Sequence, residues 1–196
     1  MVRGARRHGR RRRRGLLGRR RGVDRRLLRR ERPRACERRE PVVIEGLQRL
    51  PLRRFEDARG WLMELRRESA LPRQTRQTNL SFSRRGVIRG LHYHERGQDD
   101  LFVCIQGTAR VVVLDRSSGE AYTEDIGDEN PVALYIPGRH AHGFEALTDL
   151  LFLYHVTEEY DAASPDEHEI PWDDPRVKHL WSTTSPTLSE RDLAAS

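Results

Sequence analysis

His92 and His94 stand two residues apart, and so do His140 and His142, each pair inside sequence that reads as β-strand. Alternate side chains of a strand share a face, so each pair is expected to project to one side. Imidazoles gathered on one face serve one of two chemistries: they hold a metal ion, or they move protons near neutral pH. A metal site of this kind needs an HxH pair, a carboxylate a few residues on and a further His from a later strand. His92, His94 and His142 give the three imidazoles. At the carboxylate position stands Gln98, with Glu95, Asp99 and Asp100 close by.

The elements that must position these residues are short. From Pro41 onward, β-rich runs alternate with Gly, Pro, Asp and Asn, and no helical period is sustained. Strands are expected over Val42–Gly46, Trp61–Arg66, Gln77–Ser83, Gly86–His92, Leu101–Gln106, Ala109–Asp115, Ala121–Ile126, Val132–Ile136, Gly143–Ala146 and Leu151–Thr157. So many short strands in one chain of 196 residues imply an all-β double-sheet jelly-roll barrel. Arg116-Ser117-Ser118-Gly119 reads as a hairpin connection. Val111 to Leu114 is unbroken apolar sequence, as in a strand covered on both faces. The Asp-, Pro- and Ser-rich stretch after Tyr160 reads as a loop wrapping back over the barrel, with Trp172 and Trp181 as anchors.

Charge divides the chain in two. Residues 1–40 hold 19 of the 37 basic residues, all Arg, against Asp24, Glu31, Glu37 and Glu40, a net of +15. Residues 41–196 are acidic, with 18 basic and 26 acidic side chains. The pI near 10.2 therefore describes the tail, and no nucleic-acid partner is expected of the folded domain, residues 41–196. The tail itself reads as a disordered extension, as upstream sequence taken in by a misplaced start codon, or as a polyanion-binding arm. It lacks Ser and a long apolar run, which counts against transit and signal peptides, and no run nears the ~18 apolar residues of a membrane span. Cys36 and Cys104 are too few for a disulfide framework, and a reducing cytoplasm fits.

Several pieces occur in a fixed order: Ser83 to Tyr93 with its Arg-Gly-Leu-His, Gln98 to Gly107, Ile136 to Phe144, Phe152-Leu153-Tyr154 followed by Tyr160, Trp172-Asp173-Asp174-Pro175, and Leu188-Ser189-Glu190-Arg191-Asp192. Together they resemble the dTDP-4-dehydrorhamnose 3,5-epimerase family, over roughly Val42 to Asp192. The resemblance implies a metal-free, cofactor-free cupin, usually a homodimer, acting on a nucleotide sugar. It implies His92 as base paired with Asp192, Tyr154 as acid and Tyr160 stacked on thymine. It places nucleotide and diphosphate contacts on Arg59, Glu64, Gln77, Asn79, Arg89, His142, Glu167 and Arg191. The implied reaction inverts C3 and C5, or C3 alone, of a dTDP-4-keto-6-deoxyhexose, because a C–H beside the C4 ketone is acidic once the enolate is stabilised.

Two positions depart from the family. Its Gln-x-Lys-Leu supplies a cation to the enolate oxygen, whereas this chain reads Gln98-Asp99-Asp100-Leu101, with Asp100 where the Lys is expected. An anion there opposes the developing charge by about 4 kcal/mol at ~4 Å and an effective ε of about 20. Either Asp100 points away and Arg89 or His142 is the electrophile, or the substrate differs, or turnover is poor. A weakened nucleotide-sugar-binding cupin, and a metal-dependent cupin using His92, His94 and His142, are the alternatives. The second departure, Glu159 before Tyr160, alters the stacking surface.

Overall fold

The computed structural model describes residues 44–195. The Arg-rich extension over residues 1–40, with Cys36, and the start of the strand expected at Val42–Gly46 lie outside the described residues. Among those described, Glu45 and Gly46 form a turn rather than a strand.

Two five-stranded antiparallel sheets make the body. The first, in spatial order, consists of β1 (Gln48–Pro51), β9 (Val132–Ile136), β6 (Asp100–Gln106), β11 (Leu150–Val156) and β4 (Gln77–Ser83). The second consists of β12 (His168–Glu169), β5 (Ile88–Tyr93), β10 (Ala141–Ala146), β7 (Thr108–Leu114) and β8 (Ala121–Gly127). A separate hairpin pairs β2 (Arg54–Asp57) with β3 (Gly60–Met63). This is the expected jelly roll, with the expected strand at Trp61–Arg66 ending early at Met63 and the one at Gly143–Ala146 beginning early at Ala141. β1 has no clear signature because Pro51 closes it. As an edge strand it tolerates a residue that cannot donate to the ladder.

The core between the sheets is built by alternation. Phe102 and Cys104 of β6, Val111 and Val113 of β7, Phe144 of β10 and Phe152 of β11 point inward, and the Phe144 and Phe152 rings stack at 3.9 Å. The intervening side chains are also buried. Val112 and Leu114 face outward from the second sheet onto Trp181 and Trp172 of the C-terminal wrap, where the Trp181 indole N–H donates to the Trp172 carbonyl at 2.8 Å. Complete burial of each such Val or Leu stabilises the fold by about 1.5–3 kcal/mol. Leu101, Val103 and Tyr135 are covered likewise on the first sheet. Both outer faces being covered explains why β6 and β7 read as continuous apolar runs. Burial pushes the Cys104 thiol up to about 11, so it behaves as a small hydrophobe.

The hairpin connection at Arg116–Gly119 is held by Asp115, whose carboxylate accepts from the Ser117 N–H at 2.8 Å and the Ser117 hydroxyl at 2.6 Å. Glu190–Ala195 forms α1, a short helix where sequence periodicity announced none. Among the described residues no helix is long and apolar enough to cross a membrane.

Candidate active site

Strand register brings the chemistry-bearing residues together. On the second sheet His142 of β10 sits opposite His92 of β5, and His92 opposite Glu169 of β12. On the first sheet Tyr154 of β11 sits between Asn79 of β4 and Phe102 of β6. These two rows face each other across the mouth of the jelly roll, where the Phe102 ring meets His142 edge-on at 5.3 Å.

A bulge in β5 sets which side chains reach that mouth. Arg89 and His92 are three apart, a spacing that regular alternation would send to opposite faces. Between them one extra residue is accommodated, since Arg89 pairs with Phe144 and His92 with His142. Ile88 and Leu91 consequently both turn outward, into the cluster under the tryptophans, while Arg89 and His92 both line the cleft. The kink demands Gly90, whose φ is +118° and whose added Cβ would stand 2.7 Å from the Gly143 Cα.

The cleft has two lobes, of about 230 and 550 Å³, which share His94, Gln98, Tyr154 and Glu167 as walls. The smaller contains His92 and Tyr154 together. The carboxylate of Asp192, carried on α1, lies 3.2 Å from His92 Nε2 and accepts from the Ser189 hydroxyl at 2.7 Å. Burial alone would raise the Asp192 carboxyl. The bonds from His92 and Ser189 outweigh it and keep Asp192 below the usual range, hence ionised. An ionised acceptor at Nε2 fixes the proton there and leaves the lone pair on Nδ1, the nitrogen nearer Glu167. Tyr154 is raised by burial first and then by the Asp100 and Glu167 charges, against a smaller opposing effect of Arg89, so it holds its proton at neutral pH.

Of the other residues expected to touch substrate, Arg89, His142, Glu167 and Arg191 line the smaller lobe, and Gln77, Asn79, Tyr160 and again Glu167 the larger. Gln77 is fixed at both ends, its amide donating to Asn79 at 2.9 Å and accepting from the Tyr160 N–H at 2.9 Å. Arg191 is ion-paired to Glu167 and Glu169. Arg59 and Glu64 are not brought to this cleft: Arg59 sits at the β2–β3 turn paired with Asp57, and Glu64 pairs with Arg67 at 2.6 Å.

The two HxH pairs part company. His94 lines the cleft, but His140 lies outside it, its Nε2 at 2.9 Å from the Glu45 carbonyl. His155, bonded to Thr78 on the outer face at 2.7 Å, and His179, exposed, are both remote from the cleft.

Asp100 does not point away. It begins β6 on the same face as Phe102, is 4% exposed, and reaches His142 Nε2 at 3.3 Å and the Gln98 amide at 3.0 Å. Burial would raise its carboxyl, but His142 and Gln98 hold it below the usual range. Burial would likewise lower His142, yet Asp100 raises it. His94, Asp100 and His142, all buried, bring ligand-type atoms within 4.8 Å of one another, so the carboxylate of a metal-type cluster is Asp100 and not Gln98. His92 falls outside that set, grouped instead with Glu169 and Asp192. Period-two counting back from Phe102 would have found Asp100. Nothing in the sequence marks Asp166, which anchors the loop over the larger lobe by accepting from the Glu95 and Arg96 N–H groups at 3.1 and 2.8 Å.

Residues 41–196 match the dTDP-4-dehydrorhamnose 3,5-epimerase family. The spore coat polysaccharide biosynthesis protein SpsL of Bacillus subtilis is 38% identical over 149 residues, which cover 72% of this chain and 98% of that protein. A dTDP-4-dehydrorhamnose 3,5-epimerase of Pseudomonas aeruginosa is 36% identical over 152 residues, covering 70% of this chain and 83% of its own. Among solved structures, the 3'-monoepimerase ChmJ of Streptomyces bikiniensis in complex with dTDP-quinovose superposes with a TM-score of 0.71 at 29% identity, covering 79% of this chain and 85% of that one. RmlC of Legionella pneumophila in complex with dTDP-4-keto-L-rhamnose gives 0.71 at 28% identity, covering 79% and 89%. Facing antiparallel sheets around such a cleft make this a cupin-type jelly roll, and the family match makes the chain an isomerase of that fold. The chain belongs to the dTDP-4-dehydrorhamnose 3,5-epimerase family.

Proposed function

We propose that the protein epimerises a dTDP-4-keto-6-deoxyhexose at C3 and C5, or at C3 alone, with His92 as base and Tyr154 as acid. The observation that carries this is the placing of an Asp192-bound imidazole and a protonated phenol in one cavity of about 230 Å³. His92 Nδ1 takes the proton from carbon, the electron pair moves to the C4 oxygen, and Tyr154 delivers a proton to the opposite face of the carbon. Asp192 holds the tautomer and balances the imidazolium that forms. The larger lobe receives the nucleotide, with thymine against Tyr160 and the polar Gln77 and Asn79, and Arg89 and Arg191 serve the diphosphate through their planar forks.

The working unit is a homodimer in the cytoplasm, serving deoxysugar supply for a surface polysaccharide or glycosylated metabolite. The family resemblance supports dimerisation, and so do the exposed Leu80 and Phe82 on the outer face of edge strand β4. In a dimer the β2–β3 hairpin is free to carry Arg59 and Glu64 to the partner's cleft, which would reconcile their distance from this one. Incubation with dTDP-4-keto-6-deoxyglucose in deuterated water tests the reading. Label at C3 and C5 marks a double epimerase, label at C3 alone a mono-epimerase, and absence of label in the wild-type protein sinks it in favour of a binding cupin.

A further inference from the structure

The unresolved element of that chemistry is the charge at the enolate oxygen. Asp100 stands inside the cleft as an anion, where stabilising an enolate requires a cation, and nothing turns it outward.

The surroundings of Asp100 are arranged around a positive charge. His94 Nδ1 faces the Asp166 carbonyl oxygen, and His142 Nδ1 faces the His140 carbonyl oxygen at 2.8 Å. A carbonyl only accepts, so each ring carries its hydrogen on Nδ1 and, when neutral, its lone pair on Nε2. Both Nε2 atoms are turned toward the same carboxylate, His94 at 3.9 Å from Oδ1 and His142 at 3.3 Å from Oδ2. Two Nε2 atoms and a carboxylate converge on one point at 6%, 2% and 6% side-chain exposure, held together by the proton His142 shares with Asp100 and by the Gln98 amide, both of which a bound cation can replace. A backbone carbonyl on the far nitrogen is also the usual orientation of an imidazole that binds a metal. Bonds of about 2.1 Å put tetrahedral ligand atoms about 3.4 Å apart, so small side-chain adjustments close the set.

We propose that His94 Nε2, Asp100 and His142 Nε2 bind one divalent transition-metal ion, and that this ion is the electrophile that stabilises the enolate. The role as electrophile rests on the epimerase reading above. Two imidazoles and one carboxylate suit Zn2+, Mn2+, Fe2+ or Co2+ better than the all-oxygen ions. The charge count is the reason for the role. One M2+ with Asp100 and two neutral imidazoles is net +1, the charge that the family's Lys supplies at position 100. The carboxylate thus exchanges a fixed cation for a bound one. His94, Asp100 and His142 line the same lobe as His92 and Tyr154, so an ion held there would be within reach of a substrate in that lobe. The proton that His142 shares with Asp100 leaves to solvent as the ion enters, His92 and Tyr154 keep their proton-transfer roles, and no electron is gained or lost. The Gln98 amide, which now donates to both His94 Nε2 and Asp100 Oδ1 at 3.0 Å, can turn its oxygen to the ion.

The test uses the full chain, stripped with chelator and titrated with Co2+. A visible absorption band saturating at one equivalent is expected. The band should survive in His92→Ala and be lost in His94→Ala and His142→Ala, with affinity at least about tenfold weaker in Asp100→Asn. Deuterium exchange into dTDP-4-keto-6-deoxyglucose should fall about 100-fold on chelation, the scale of losing one oxyanion-stabilising group, and return with added Co2+ or Zn2+. No saturable Co2+ or Zn2+ binding by the wild-type protein, or loss of the band in His92→Ala, overturns the ligand set. Exchange at full rate in the stripped protein overturns the electrophile role and leaves the epimerase reading standing. Stoichiometric metal uptake with no exchange keeps the ion site and removes both the electrophile role and the epimerase reading.

Discussion

At the scale of single residues, the proposed reading gives removal of the proton to His92 and its return to Tyr154, two side chains that line one cavity. Tyr154→Phe should therefore leave deuterium wash-in at the reacting carbons faster than net inversion, a ratio read by mass spectrometry and NMR together. Equal losses of both would count against Tyr154 as the returning acid. Asp192→Asn keeps shape and removes charge, and should lower turnover by about 100-fold or more with a smaller change in KM. The sequence made His92, Tyr154 and Asp192 visible through ordered motifs, and the structure brings the three side chains to one cavity. It left the direction of Asp100 open, because Asp100 falls just ahead of the strand as drawn from Leu101. One residue of strand boundary decided whether that anion faced solvent or the cleft.

At the scale of elements, the bulge in β5 is the device that puts Arg89 and His92 on one face, and it depends on close approach to β10. An added Cβ on Gly143 would meet the Arg89 carbonyl and, at 3.0 Å, the Gly90 Cα. Gly143→Ala should destabilise the fold by about 2 kcal/mol, seen as a lower urea midpoint with unchanged slope. The β7–β8 hairpin offers a pH test. The hydrogen bond from the Ser117 hydroxyl, then that from its N–H, lowers Asp115 to about 2 in the folded protein. A depressed carboxyl contributes stability above its unfolded pKa, about 3.9, and loses it as pH falls toward the folded value, so this contribution should vanish between about pH 4 and pH 2. The stability gap between wild type and Asp115→Ala should narrow over that window, and a constant gap would refute the assignment. That hairpin was legible because turn residues advertise themselves. The bulge was not, because a Gly between an Arg and a Leu carries no sign of which face each neighbour takes.

At the scale of the whole molecule, alternation and apolar runs sufficed for the double sheet, since burial on both faces of β6 and β7 writes itself into composition. The covering layers were less legible. Trp172 and Trp181 announced one, whereas the leucines at 50, 52, 65 and 71 over the other sheet are spread through charged sequence. The proposed dimer is testable here: if copies meet through edge strand β4, Phe82→Glu on its exposed face should shift the sedimentation coefficient from dimer toward monomer while the far-UV spectrum stays the same. A wild-type protein that sediments as a monomer would remove this surface as the contact.

His92 and Asp192 are 100 residues apart along the chain. Every strand of both sheets is synthesised before the second member of that couple, so a ribosome-bound or proteolytically clipped polypeptide can own the cavity yet lack its charge partner. Recovery of turnover on refolding thereby reports closure of the entire chain and should lag behind the return of tryptophan fluorescence.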